Sequence, residues 1–248
     1  MLHVYSATGN IIGLIETKSL PKPEEPVVYK DILTTHSIDQ LIFYHPSTLR
    51  LIIFNRDGSV AKNCGNGLRA LGHHLGQTNI EADFKLEILP HKKPVLIQNI
   101  YSETTLTTWV QVGQPYIQKH THTIQSPPYT LLSVGNDHLI VWNHPICNNL
   151  IKAFNTEYNI SFAYTLPQIY SNSNTPTRLY LRTYERGVGW TAACGSAAAC
   201  LTTLANHLIA RDQCKWEVHT LGGILKNKIT PKGIFQTGSI KKLSSLSL

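Results

Sequence analysis

The 248-residue sequence has no apolar run near the roughly 18 residues a membrane-spanning helix needs, which excludes that class of protein. The opening MLHVYSATGN has no basic segment leading into an apolar stretch and a small-residue cleavage site, so the expected location is cytoplasmic. Cys64, Cys147, Cys194, Cys200 and Cys214 form no C-x-x-C pair. Their odd number and wide spread argue against a disulfide framework and for free thiols. The net charge is +7, yet the basic residues are scattered and no basic stretch is interleaved with aromatics. A mildly basic surface is therefore expected, with no nucleic-acid partner and no membrane partner. No carboxylate or further cysteine joins Cys64, His73 and His74 at ligand spacing, so no metal is expected.

What is present is ordinary globular material, 42% hydrophobic and 15% charged, long enough for one large domain or two small ones. Short β-branched and aromatic segments read as strands: LIFY at 41–44, LIIF at 51–54, LIVW at 139–142 and LYLRTY at 179–184. Turn-like stretches at 20–26, 125–129 and 171–177 punctuate them. Two helices stand out. After Cys64, the residues Leu68, Leu71 and Leu75 share a face, with Gly76 as a stop. After Cys194, the set Ala197, Ala198, Leu201, Leu204, Ala205 and Leu208 forms a second apolar stripe. Many strands and few helices predict an α+β architecture.

The sequence also repeats itself. Sliding it by 130 positions lays Leu51 on Leu181, Phe54 on Tyr184, Arg56 on Arg186, Cys64 on Cys194, Gly65 on Gly195 and Leu71 on Leu201. Gly9-Asn10 and Gly135-Asn136 each end a small-residue turn before an apolar run, and Gln40 and Asn159 stand ahead of LIFY and ISFAY. The expectation is a duplication: a first domain over 1–113, joined by 236–248, and a second over 114–235, related by a pseudo-twofold axis.

In both halves the order is strand, turn, Cys-Gly, helix. A thiol just ahead of a helix lies near unsatisfied N–H groups and the positive end of the dipole. Such settings lower a cysteine pKa from about 8.5 into roughly the 3.5–7.5 range. Gly65 and Gly195 keep the backbone open, and with Asn66 and Ser196 they suit an anion-binding first turn. Two such modules facing one cleft supply what inversion at an α-carbon needs, a base on one face and an acid on the other. Reacting atoms about 3–3.5 Å apart on each side would put the sulfurs roughly 6–7 Å apart. Cys147, Cys200 and Cys214 read as small core hydrophobes.

The stretches FNRDGSVAKNCGNGLRA at 54–70 and YERGVGWTAACGSAAA at 184–199 resemble the diaminopimelate epimerase family, and the likeness covers nearly the whole chain. The resemblance implies two similar domains, each a curled β-sheet wrapped around a central α-helix. It implies interconversion of LL- and meso-diaminopimelate, an intermediate of lysine and peptidoglycan-precursor synthesis, without any cofactor. It makes Cys64 and Cys194 the catalytic pair. It assigns Asn55, Asn159, Glu185 and Arg186 to the non-reacting end of the substrate, and Asn10 and Gln40 to the reacting amine. It places Asn136 and His138 in a segment where the histidine supports one thiol, and puts the reacting carboxylate on the N–H groups of Gly65, Asn66, Gly195 and Ser196. A homodimer is compatible with the family.

The sequence departs from the family pattern at Asn10-Ile11-Ile12, at Asn136-Asp137-His138, at Ala197 and at Gly189-Trp190-Thr191, where a bulky aromatic replaces an acid. These departures keep open a racemase of another amino acid, such as glutamate, and a non-catalytic ligand-binding descendant.

Overall fold

The computed structural model describes residues 1–23, 27–78, 82–121, 127–165, 177–209 and 214–247. Parts of the three turn-like stretches, 24–26, 125–126 and 171–176, lie outside the described residues. The chain divides into two compact units: Met1–Gln111 with Ser239–Leu248, and Val112–Gly238.

In chain order the first unit contains β1 (Leu2–Ala7), β2 (Asn10–Glu16), α1 (Val27–Thr35), β3 (Gln40–His45), β4 (Arg50–Asn55), α2 (Gly65–Gly76), β5 (Asp83–Ile88), β6 (Lys93–Tyr101) and β7 (Leu106–Gly113). The second contains β8 (Tyr116–Thr121), β9 (Tyr129–Ser133), β10 (Asp137–Trp142), α3 (Asn148–Phe154), β11 (Asn159–Thr165), β12 (Thr177–Glu185), the two-residue β13 (Gly189–Trp190), α4 (Gly195–Leu208), β14 (Lys215–Thr220), β15 (Gly223–Thr230) and β16 (Gly233–Gly238). The last strand, β17 (Ile240–Leu246), returns to the first unit and pairs with β1.

The ladders of the two units match step for step. In the first, β17, β1, β2, β3, β4, β5, β6 and β7 pair in succession as antiparallel, antiparallel, parallel, antiparallel, parallel, antiparallel, antiparallel. In the second, β8, β9, β10, β11, β12, β14, β15 and β16 repeat that series of senses. The α+β fold, one curled sheet around one helix in each unit, is as expected.

Alternation along the strands explains why each sheet can be covered on both faces. In the first unit Ile42, Tyr44, Leu51 and Ile53 point inward at Leu68, Leu71 and Leu75 of α2. Their neighbours Leu41, Phe43, Ile52 and Phe54 point outward and are covered from the α1 side by Tyr29, Ile32 and Leu33. Burying each α2 leucine stabilises the unit by about 1.5–3 kcal/mol. In the second unit Leu179, Leu181, Trp216 and Val218 surround Ala197, Ala198, Leu201 and Leu204 of α4, while Leu139, Val141, Ile160 and Phe162 pack on Leu150 and Ile151 of α3. A buried asparagine grips each central helix: Asn99 Nδ2 donates to the Gly72 carbonyl at 3.1 Å, and Asn227 Nδ2 donates to the Ala198 carbonyl at 3.1 Å.

Some details differ from expectation. Leu208, counted in the apolar stripe of α4, is 51% exposed because the helix ends there and its last turn leaves the core. Cys200 is buried as expected, but Cys147 is half-buried ahead of α3 and Cys214 is exposed at the start of β14. Cys147 still packs against the core beside α3, whereas Cys214, ahead of its strand, faces solvent.

Candidate active site

Each central helix begins immediately after a cysteine. Cys64 is the N-cap of α2, with extended backbone (φ −149°, ψ 99°), and its Sγ accepts a hydrogen bond from the Gly67 N–H at 3.1 Å. Gly67 suits the site for steric reasons, since a Cβ there would lie 2.7 Å from the Ile42 side chain and 3.2 Å from Cys64 Sγ. Cys194 is the N-cap of α4 with similar backbone (φ −115°, ψ 111°) but makes no cap bond from its side chain. Both thiols are nearly covered, 8% and 6% exposed.

Around Cys64 the structure gathers amides. Its thiol donates to Gln40 Oε1 at 2.8 Å, and Gln40 Nε2 donates to Asn55 Oδ1 at 3.4 Å. Strand register produces this group: Gln40, first in β3, stands opposite Asn55, last in β4. Asn55 is fixed in turn by donating to Ser59 Oγ at 3.1 Å. Asn10 opens β2 after a tight turn in which Thr8 and Gly9 both have positive φ (49° and 86°), the mirror-image geometry that two-residue hairpins prefer. Asn10 itself, like Asn136 in the second unit, does not take positive φ; the glycine before each one does. Asn66 accepts at its Oδ1 from the guanidinium of Arg69 at 2.8 Å.

Around Cys194 the partners are a hydroxyl, a carboxylate and an imidazole. Ser196 Oγ lies 3.4 Å from Cys194 Sγ and 3.0 Å from His138 Nε2, forming a chain of three groups that can pass protons. Burial pushes the fully buried His138 down to about 4, so its imidazole is neutral near pH 7. Glu185, last in β12, accepts from Thr191 Oγ1 at 2.7 Å. Burial first, and the Glu185 charge second, push the Cys194 thiol well above its usual range; Ser196 and the Ala197 N–H oppose them more weakly. Asn159 opens β11, where its Oδ1 accepts from the Arg186 N–H at 3.0 Å. The Arg186 guanidinium is exposed and donates to the Glu157 carbonyl at 3.4 Å. Asn136 sits in the β9–β10 turn, its carbonyl accepting from the Val134 N–H at 3.3 Å.

The expected residues thus fall into two groups, one per unit. Cys64, Gly65, Asn66, Gln40 and Asn55 gather at the start of α2. Cys194, Gly195, Ser196, His138 and Glu185 gather at the start of α4, with Asn159 and Arg186 beside one another at the same strand ends. Sequence reading missed Arg69, fully buried and donating to Thr8 Oγ1 and Asn66 Oδ1, both at 2.8 Å. It also missed Thr191. A signal existed for Arg69: it is a charged residue between Leu68 and Leu71, on a helix whose repeat partner carries Ala199 at that position.

Trp190, one of the departures, lies away from these groups. Its ring packs on Tyr184 (5.5 Å between centroids) and Phe162 (6.3 Å), and the Arg182 guanidinium stands 5.0 Å over it. Tyr184 and Phe162 belong to the α3-facing core, whereas Leu179, Leu181 and Cys194 belong to the α4-facing one. The tryptophan and Cys194 are therefore on opposite faces of the sheet. The histidines of α2 are also occupied elsewhere. His74 is held between the Tyr5 hydroxyl at 2.9 Å and the Tyr44 hydroxyl at 3.0 Å, and His73 lies 3.3 Å from Gln77 Nε2.

Among solved structures, the chain is similar to a protein described as a predicted epimerase from Pseudomonas aeruginosa (TM-score 0.75, 12% identity, 100% of this chain and 98% of that one). It is also similar to a hydroxyproline epimerase from Agrobacterium vitis bearing trans-4-hydroxy-L-proline (TM-score 0.67, 10% identity, 98% and 90% covered). By fold the protein is of the same class as these two solved structures. No family model matches the chain. Curated relatives include the diaminopimelate epimerase of Bartonella bacilliformis, 32% identical over 225 residues that cover 77% of this chain and 73% of the relative. Another is the diaminopimelate epimerase of Geobacillus kaustophilus, 28% identical over 237 residues that cover 84% and 81%. The chain belongs to the diaminopimelate epimerase family, and its activity is that of an amino-acid epimerase.

Proposed function

We propose that the protein interconverts LL- and meso-diaminopimelate by two-base proton transfer, with Cys64 and Cys194 on opposite faces of the reacting α-carbon. The observation that carries this reading is the duplicated module itself: in each unit a cysteine is the N-cap residue of the central helix, beside first-turn N–H groups that suit a carboxylate. Two-base inversion of this kind requires the sulfurs to stand roughly 6–7 Å apart across the substrate.

A thiolate on one face takes the α-proton and the thiol on the other returns one, so the two exchange roles in the reverse direction. The N–H groups at Gly65, Asn66, Gly195 and Ser196 hold the carboxylate, whose charge grows as the carbon is deprotonated. Gln40 suits a group that alternates between thiol and thiolate. Its carbonyl accepts from the thiol, and rotation of the amide would present an N–H₂ to the thiolate. Ser196 and the neutral His138 do the same for Cys194, since a hydroxyl turns freely to donate or accept. Asn10 and Asn136 lie near the reacting end. Arg186, with Asn159, Asn55 and Glu185, is assigned to the distal amino-acid head, where a planar guanidinium accepts a carboxylate in two parallel bonds.

A second reading keeps the chemistry and changes the substrate. It is motivated by the hydroxyproline epimerase likeness, a protein whose substrate has no second amino-acid head. Such a substrate would leave the distal grip unpaired. Incubation in D₂O with LL- or meso-diaminopimelate under reducing conditions decides. α-Deuterium incorporation with isomer conversion is expected, and higher turnover of any other amino acid in the same panel favours the second reading. No exchange with any member of the panel would refute two-thiol epimerisation.

A further inference from the structure

Asn227 and Gln236 are both buried and stand directly opposite each other in β15 and β16. Gln236 Nε2 donates to Asn227 Oδ1 at 2.9 Å and to the Gly195 carbonyl at 3.0 Å. Asn227 Nδ2 donates in turn to the Ala198 carbonyl at 3.1 Å and to Thr202 Oγ1 at 2.6 Å. The mechanism above gives Gln236 no task. Ile234, which shares its face of β16, belongs to the α4-facing core, so an apolar side chain would suit the Gln236 position as well. An amide buried there is tolerated because its hydrogen bonds are made.

The first unit has a similar device that ends elsewhere. Asn99 and Thr108 are the directly paired residues of β6 and β7, and Thr108 Oγ1 donates to Asn99 Oδ1 at 2.7 Å. Asn99 then grips Gly72, well past the first turn of α2. The shorter threonine bonds to its asparagine, whereas the glutamine in the same place also reaches the opening residue of α4. The Gly195 carbonyl belongs to the same planar peptide unit as the Ser196 N–H, one of the groups assigned to the reacting carboxylate. A donor on that carbonyl fixes the plane and with it the direction of the N–H. It also polarises the peptide, strengthening the N–H as a donor by about 10–30%.

We propose that Gln236 is a positioning residue for the epimerisation, aiming the Ser196 N–H at the reacting carboxylate through the Gly195 carbonyl. The inference rests on the two-thiol reading and adds to it what orients the carboxylate-binding turn of α4.

Gln236→Met keeps the volume and removes the donor. Iodoacetamide labelling of Cys194, followed across pH by peptide mass spectrometry, counts intact sites, so turnover is compared per reactive thiol. Per site, Gln236→Met should lose about tenfold in kcat with diaminopimelate and change KM by less than about twofold, because the carboxylate gains charge in the transition state. Thr202→Val removes another partner from the same network, away from Gly195. It should lower stability in urea and hold kcat per site within about twofold. In isotope-labelled protein the Ser196 amide resonance should move upfield in Gln236→Met and stay in place in Thr202→Val. A folded Gln236→Met with unchanged kcat per site overturns the proposal, as does a Thr202→Val that loses as much. So does a wild type whose Gln236 side-chain amide shows no coupling across a hydrogen bond to the Gly195 carbonyl carbon, even if Gln236→Met does not fold. No exchange with any amino acid, alongside that coupling and the upfield Ser196 shift, would instead refute the epimerase reading alone.

Discussion

Position for position, Gln40, Asn55, Asn66 and Arg69 around Cys64 answer to Asn159, Glu185, Ser196 and Ala199 around Cys194. The scaffold under them is the same: strand senses, central helix and capping cysteine all correspond. Charge is where they differ. The first thiol has an amide and a cap N–H beside it; the second has a carboxylate and a hydroxyl, with a neutral imidazole behind the hydroxyl. The two positions share a scaffold and differ in the charge beside the sulfur, the property on which the proposed acid–base pair depends. A reversible two-base reaction needs one proton shared between two groups, and an asymmetric pair starts each cycle with that proton on a defined side.

The strongest way to break the comparison is to remove either sulfur. Cys64→Ala and Cys194→Ala should each lower epimerisation by about 10³-fold or more, since in the proposed mechanism the thiols act as a unit. Circular dichroism should show both variants folded. Retention of activity by either one would end the two-thiol mechanism, whichever thiol is the base.

A smaller effect sharpens the asymmetry. Glu185→Gln keeps the acceptor for Thr191 but removes the negative charge beside Cys194. The charge is one reason the Cys194 pKa lies high, so its removal should move that pKa down. The sign follows directly. Deprotonation of a raised thiol is the limb seen at alkaline pH, so the alkaline limb of the Cys194 labelling profile should shift toward neutrality. Burial, the larger cause, stays in place, so part of the elevation should remain. An unmoved limb would show that Glu185 does not set the state of Cys194.

Much of this organisation was legible in the sequence. Helix starts, capping cysteines and the 130-residue repeat are contiguous features, and local patterning carries them. Short helices were not: α3 buries only Leu150 and Ile151, too few for a helical period to show. Burial of Arg69 was obscured by its charge, because a guanidinium reads as surface until the hairpin that encloses it is known. The division of labour around Cys194 depended on register, which sets Glu185 at the end of β12 and His138 beside Asn159 in neighbouring strands. Sequence proximity alone could not say which face of the sheet each of these residues occupies.

Trp190 shows the consequence, and it carries the smallest expected effect. In sequence it replaces an acid four residues before Cys194, which made it a threat to the active site. In the structure the pleat turns it the other way. It pairs with Tyr184 across the strand, lies 41% exposed, and stacks under Arg182 on the α3 side, while its neighbour Thr191 reaches Glu185 on the α4 side. Trp190→Ala should therefore cost stability, about 1–2 kcal/mol from lost aromatic and cation–π contacts at a half-open site. It should change kcat/KM for diaminopimelate by less than about threefold, well under one kcal/mol in the barrier. Urea denaturation and steady-state kinetics on one preparation separate the two effects. A loss of kcat/KM beyond tenfold, or a new preference among amino acids, would mean the tryptophan reaches the substrate. The two thiol sites would then differ in shape as well as in charge.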